Sequence, residues 1–148
     1  MIGPIVLDSG PLSLATNPRT SPVNLSCKGW LEDRLNEGCR VIIPAIVDYE
    51  VRRELIRANK AAGVKRLDEF CGALEFLSLT DAHLRDAADL WAQIRQLGRP
   101  TASDPAIDGD VILAAQVLSL NTPSAVVATT NPAHISLFVA ADLWQNIV

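Results

Sequence analysis

Four short apolar runs, each halted by a polar or chain-breaking residue, constrain this chain more than any other feature. They occupy residues 3–7, 40–43, 75–79 and 125–128, and they stop at Asp8, Pro44, Thr80 and Thr129-Thr130-Asn131. Runs of this length between such breakers are expected to be buried β-strands. The stretches between them carry helical signals. Ser9-Gly10-Pro11 suits a helix start, because proline is tolerated in a first turn. A loop is expected over residues 16–24. Leu25, Trp30, Leu31 and Leu35 then recur at helical spacing up to Gly38, and Pro44 opens a helix through Val47, Val51, Leu55 and Ile56.

Gly63 is expected to interrupt, with Val64, Leu67 and Phe70 forming another helix. Thr80 suits the N-cap of a long helix that carries Leu84, Ala88, Trp91 and Ile94 inward and closes at Gly98. After a loop over 99–107, Asp108-Gly109-Asp110 introduces a nearly all-apolar helix over 111–120. A helix apolar on every side is buried on every side. Strands alternating with helices predict one α/β domain over residues 1–148, with a central, mostly parallel sheet flanked by helices.

At 148 residues the chain is long enough for one core without staples. Hydrophobic residues make up 49% and charged residues 20%, a balance that suits a soluble domain. No apolar run is long enough to span a bilayer. With no secretory pattern at the start, a cytoplasmic location is expected. Cys27, Cys39 and Cys71 are odd in number and have no CxxC spacing, so they read as small buried hydrophobes, neither a zinc site nor a disulfide framework. His83 and His134 lie far apart, which disfavours a histidine-based metal site. The net charge of -4 argues against a non-specific nucleic-acid coat, yet acids gathered around a cation would also depress the total.

In an open parallel sheet, ligands bind beyond the carboxyl ends of the strands. Asp8 ends the first run, Glu50 lies early in the helix after Pro44, Asp110 opens the buried helix, and Thr129, Thr130 and Asn131 end the fourth run. Each has a plainer reading. Asp8 suits a turn or cap, Asp108 suits an N-cap, and Asp110 suits the positive end of a helix dipole. Glu50, Arg53, Glu54 and Arg57 suit a solvated ion-pair ladder. Capping alone, however, does not require acids at the top of successive elements. Two or three carboxylates with a Thr or Asn suit a hard cation, Mg²⁺ or Mn²⁺, and phosphodiester hydrolysis is the reaction class that needs nothing further.

The segments Ile5-Val6-Leu7-Asp8-Ser9-Gly10, residues 43–55 around Asp48-Tyr49-Glu50, Asp110-Val111-Ile112-Leu113-Ala114-Ala115 and Val127-Ala128-Thr129-Thr130-Asn131 resemble, in order, the motifs of the PIN-domain family and of its VapC-type toxins. The resemblance spans nearly the whole chain. It implies a PIN-like fold and metal-dependent RNA cleavage, with Asp8, Glu50 and Asp110 as catalytic and metal-holding acids. Thr130 and Asn131 are then candidates for substrate binding. Arg53, with Arg52 and Arg57, is a candidate for holding RNA phosphates. A cognate antitoxin and a homodimer are also implied. Many relatives carry a fourth acid about three residues past the Asn, where this chain has His134. Asp108 is the alternative to Asp110.

Three other readings compete. A haloacid-dehalogenase-type phosphotransferase would carry a second Asp where Gly10 stands. A receiver domain would want an acidic pair near its first strand and a phosphoacceptor Asp ending a central strand, whereas the second and third strands here finish in Ile43-Pro44 and Leu79-Thr80. A PIN-like domain that binds RNA or protein without cutting accommodates both the charge of -4 and the absent fourth acid.

Overall fold

The strands form a single parallel sheet in the order β3-β2-β1-β4-β5. They are β1 (Ile5–Leu7), β2 (Val41–Pro44), β3 (Glu75–Leu77), β4 (Val126–Thr129) and β5 (Ala141–Leu143). The computed structural model describes residues 3–98 and 104–148, the side chains of 104–106 excepted. Six helices join the strands: α1 (Ser9–Thr16), α2 (Pro22–Asn36), α3 (Ala45–Arg57), α4 (Ala61–Ala73), α5 (Asp81–Gln96) and α6 (Asp104–Leu118). Short 3-10 turns follow at Ile135–Leu137 and Trp144–Asn146. All four strand pairings among the described residues are parallel.

β1 lies between β2 and β4, its residues Ile5, Val6 and Leu7 fully buried. This position explains the unbroken apolar runs, since a central parallel strand is covered on both faces. The main core joins these strands to Leu12, Trp30, Leu67 and Leu113. A second cluster, Ala87, Ile94, Ile107, Val111 and Ala115, holds α5 against α6. The carboxyl end of the chain is tied to α2 by Trp30 Nε1 and Arg34 Nη1, which both donate to the Ile147 carbonyl, at 2.6 and 3.0 Å.

Gln116 is the largest polar side chain wholly inside. Its Nε2 donates to the Leu77 carbonyl at 3.0 Å, and its Oε1 accepts from the Ile46 amide at 3.3 Å. One amide thus satisfies the end of β3 and the first turn of α3 from a helix in the core, leaving neither backbone group orphaned.

Several expectations need correction. α6 starts at Asp104, so Asp108, Gly109 and Asp110 are helical, and Asp108 does not cap a helix at Val111. Glycine at position 109 masked the continuity. Residues 99–103 of the expected loop lie outside the described residues. The break between α3 and α4 falls at 58–60, with Asn59 at φ +55°, and Gly63 sits inside α4. A Cβ at Gly63 would come within 2.8 Å of Leu55 Cδ2, so the glycine permits close helix packing there. β5 has no apolar run and was not anticipated. Cys27 is buried as expected, but Cys39 and Cys71 are only half-buried. Thr80 does cap α5, in a reciprocal box with His83.

A candidate acidic site at the sheet's switch point

From β1 the chain passes to β2 and from β4 to β5, in opposite directions across the strand order, and an open parallel sheet has its crevice at the carboxyl ends of two such adjacent strands. Asp8 is the first residue past β1. Its amide donates to the Ala128 carbonyl at 2.9 Å, which continues the β1–β4 ladder by one rung. Asp8 Oδ1 accepts from the Ser9 amide at 2.7 Å, as N-cap of α1, and Oδ2 accepts from Thr129 Oγ1 at 2.8 Å. Both carboxylate oxygens are therefore aimed, one by a helix start and one by the neighbouring strand.

Glu50 enters from α3 and Asp110 from the second turn of α6. A Cβ added to Gly109 would come to 3.0 Å from Glu50 Oε2, so the absence of a side chain there lets the carboxyl lie against α6. The Glu50 carboxyl is pushed up from its usual 4.5 to about 7, chiefly by burial, then by the charge of Asp8, with a smaller push from Asp110 and an opposing pull from Arg53. Asp110 is raised from 3.8 to about 6 by burial and by Asp8, with His134 pulling it down. The three acids thus feel one another across one crevice. The ion-ladder reading does not account for Glu50, which is half-buried and faces Asp8 and Asp110 as well as Arg53; Glu54 and Arg57 form the expected surface pair without it, at 2.8 Å. Asp8, by contrast, is both a cap and a member of the cluster.

The other candidates divide. Asp108 is exposed and lines a shallow apolar recess with Trp91 and Leu84, apart from the three acids. Of the three polar residues that end the fourth run, Thr129 is buried and bonded to Asp8. Thr130 packs over Gly10, where an added Cβ would meet its Oγ1 at 2.5 Å. Asn131 Oδ1 accepts from the Ala133 amide at 3.2 Å, closing a turn after β4. Arg52 is committed elsewhere, bridging Asp48 at 3.0 Å and Asp68 at 2.7 Å. Arg53 is exposed, lies 5.1 Å from the Tyr49 ring centroid and sits beside Glu50.

Oxygen donors that repel one another and are partly buried suit a hard divalent cation. Among the described residues, no three acidic, histidine or cysteine side chains are drawn closely enough together to hold an ion without side-chain movement. The donor chemistry fits such an ion, and the side chains would have to close upon it.

No family model matches the chain, and no curated protein matches it in sequence. Solved structures do. A chain of VapBC2 from Rickettsia felis, bound to a DNA fragment from its promoter, superposes with a TM-score of 0.72 at 18% identity, covering 95% of this chain and 98% of that one. VapBC-1 from nontypeable Haemophilus influenzae gives a TM-score of 0.68 at 16% identity, with 96% and 98% covered. DNA-bound VapBC from Salmonella typhimurium gives 0.66 at 17%, with 97% and 99% covered. The fold is that of a PIN-like domain, a parallel five-stranded sheet between helices, and it extends over almost the full length of each matched chain. No helix among the described residues is long and apolar enough to cross a membrane.

Proposed function

We propose that this protein is a divalent-metal-dependent endoribonuclease, the toxin of a toxin–antitoxin pair. The observation that carries the reading is the meeting of Asp8, Glu50 and Asp110, from β1, α3 and α6, in one crevice where burial and mutual repulsion raise two of the three carboxyls. Asp8, Asp110 and Glu50 would hold Mg²⁺ or Mn²⁺. When bound, such an ion supplies an activated water and stabilises charge on the scissile phosphate. Thr129 and the Ser9 amide hold the Asp8 carboxylate in one orientation, so its aim does not depend on the ligand. Without an ion the Glu50 carboxyl is raised to about 7 by burial and by Asp8, and a bound divalent cation would hold it in its charged form.

The antitoxin partner is supported by the VapBC complexes that share the fold; homodimerisation rests on the sequence resemblance alone. A non-cleaving RNA- or protein-binding domain is the second reading. It is favoured by the acids' not yet being close enough to grip an ion. Purified protein incubated with single-stranded RNA, with and without Mn²⁺, separates the two. Cleavage that requires Mn²⁺ and is abolished by Asp8→Asn, Glu50→Gln and Asp110→Asn is expected, with Asp108→Asn near wild-type. Intact RNA under all conditions would establish the non-cleaving reading.

A further inference from the structure

Outside the three acids, the chain has a cleft of about 500 Å³ between α1 and the carboxyl-terminal half of α3, and it opens directly from Glu50. Its two walls differ in chemistry. Along α1 run Ser9 and Ser13, four apart and so on one helix face, followed by Asn17 at the C-cap of the helix. Along α3 run Arg53 and Arg57, again four apart, followed by Lys60 just past the helix end.

Positions four apart on a helix advance by roughly 6 Å, so each wall presents a polar group at a regular interval along the same direction. Ser13, Arg53, Arg57 and Lys60 are exposed. Among the described residues the Lys60 ammonium makes no hydrogen bond or ion pair, and Arg53 makes no side-chain hydrogen bond. Arg57 is held only by Glu54, an exposed pair of the weak kind that an incoming anion can replace. Asn17 spends its Oδ1 on the Arg19 amide at 3.0 Å, which leaves its Nδ2 as a donor to the cleft. One wall therefore carries three cations beside Glu50 and Glu54, and the other offers neutral donors and acceptors.

We infer that this cleft is the track for the RNA strand adjoining the scissile bond. Arg53, Arg57 and Lys60 would take successive phosphates, and Ser13 and Asn17 would meet the sugar hydroxyls and base edges. The inference rests on the proposed nuclease reading for the identity of the polymer, and it goes beyond that reading in naming the track and its direction, outward from Glu50 to Lys60. A cleft this size admits about one or two nucleotides of a single strand between its walls, and a duplex does not fit between the two helices.

The test is binding, measured without catalysis. Fluorescence anisotropy of a labelled single-stranded RNA oligomer, in EDTA, is followed against salt for the wild type, Lys60→Gln and Ser13→Tyr, with circular dichroism confirming that each is folded. Both positions are exposed, so neither change removes a core contact. Lys60→Gln is expected to weaken binding about five- to tenfold at low salt and to reduce the log–log salt slope by about 0.7, the signature of one lost single-strand phosphate contact. Ser13→Tyr is expected to weaken binding by narrowing the cleft from the uncharged wall, and a blunt RNA duplex of equal length to bind more weakly than the single strand. Wild-type affinity and slope in both variants, equal affinity for the duplex, or no RNA binding at all would overturn the track. The outcome for cleavage is separate. Binding lost in the variants of a protein that cuts no RNA sinks the nuclease reading and keeps the track, whereas cleavage with unaltered binding does the reverse.

Discussion

Removing one charge from the acidic crevice should make the folded protein more stable at high pH, and the amount follows from the site's electrostatics. Glu50 rises from 4.5 to about 7 and Asp110 from 3.8 to about 6. A carboxyl whose folded pKa is raised keeps its proton in the native state after the unfolded chain has lost it. Its effect on stability is therefore favourable at low pH and disappears as pH rises from about 4 to about 7. One pKa unit corresponds to about 1.4 kcal/mol, but both groups are partly open to water, and Asp8 acts on each. Screening and this shared cause reduce the contribution of Glu50 to roughly 1–2 kcal/mol. Glu50→Gln should consequently raise the melting temperature by about 2–6 °C at pH 8 and leave it nearly unchanged at pH 4, where the wild-type carboxyl holds its proton in the folded state and mostly in the unfolded state too. Thermal melts by circular dichroism in EDTA at the two pH values measure this. A variant that melts below the wild type at pH 8 would show that Glu50 makes a favourable charged contact, and the repulsion argument would fail.

Thr129→Val should cut RNA cleavage about fivefold, since it removes the hydroxyl that aims Asp8 Oδ2, a bond of the kind worth about 1 kcal/mol. Thr129→Ser should retain most activity, and equal rates for the two would remove the hydroxyl from the account. Gln116→Leu should destabilise the fold by about 2–4 kcal/mol in urea titrations, because it strands the buried Ile46 amide and Leu77 carbonyl; a loss under 1 kcal/mol would mean that water or a backbone shift satisfies them.

The legible parts of the molecule were those where one local rule dominated. Central strands covered on both faces read as plain apolar runs, and β1, β2 and β4 were visible for that reason. Thr80 carried its cap signal in the residue itself. β5 was invisible because its three residues, Ala141-Asp142-Leu143, are half-exposed at an edge and hold their place by pairing with β4. The start of α6 was misplaced because Gly109 resembles a break in sequence, whereas its lack of a side chain is what admits Glu50 in three dimensions. The acids could be nominated from their positions at element ends. Their meeting could not be read locally, since it depends on β1 and β4 being neighbours despite lying more than a hundred residues apart. Arg52 looked equivalent to Arg53 along the chain, and only the approach of α4, with Asp68, shows that it is spoken for.

Calorimetric titration of Mn²⁺ tests most directly whether Asp8, Glu50 and Asp110 form one metal site. It is run on the wild type and on Asp8→Asn, Glu50→Gln and Asp110→Asn, with and without a non-cleavable RNA analogue. Since His134 stands near Asp110 where a further acid would add charge, and hard cations are commonly completed by substrate phosphates, weak binding to the free wild type, tightened strongly by RNA and lost in all three variants, is the expected result. Mn²⁺ binding of the same strength in the wild type and all three variants would contradict a shared site and with it the proposed chemistry.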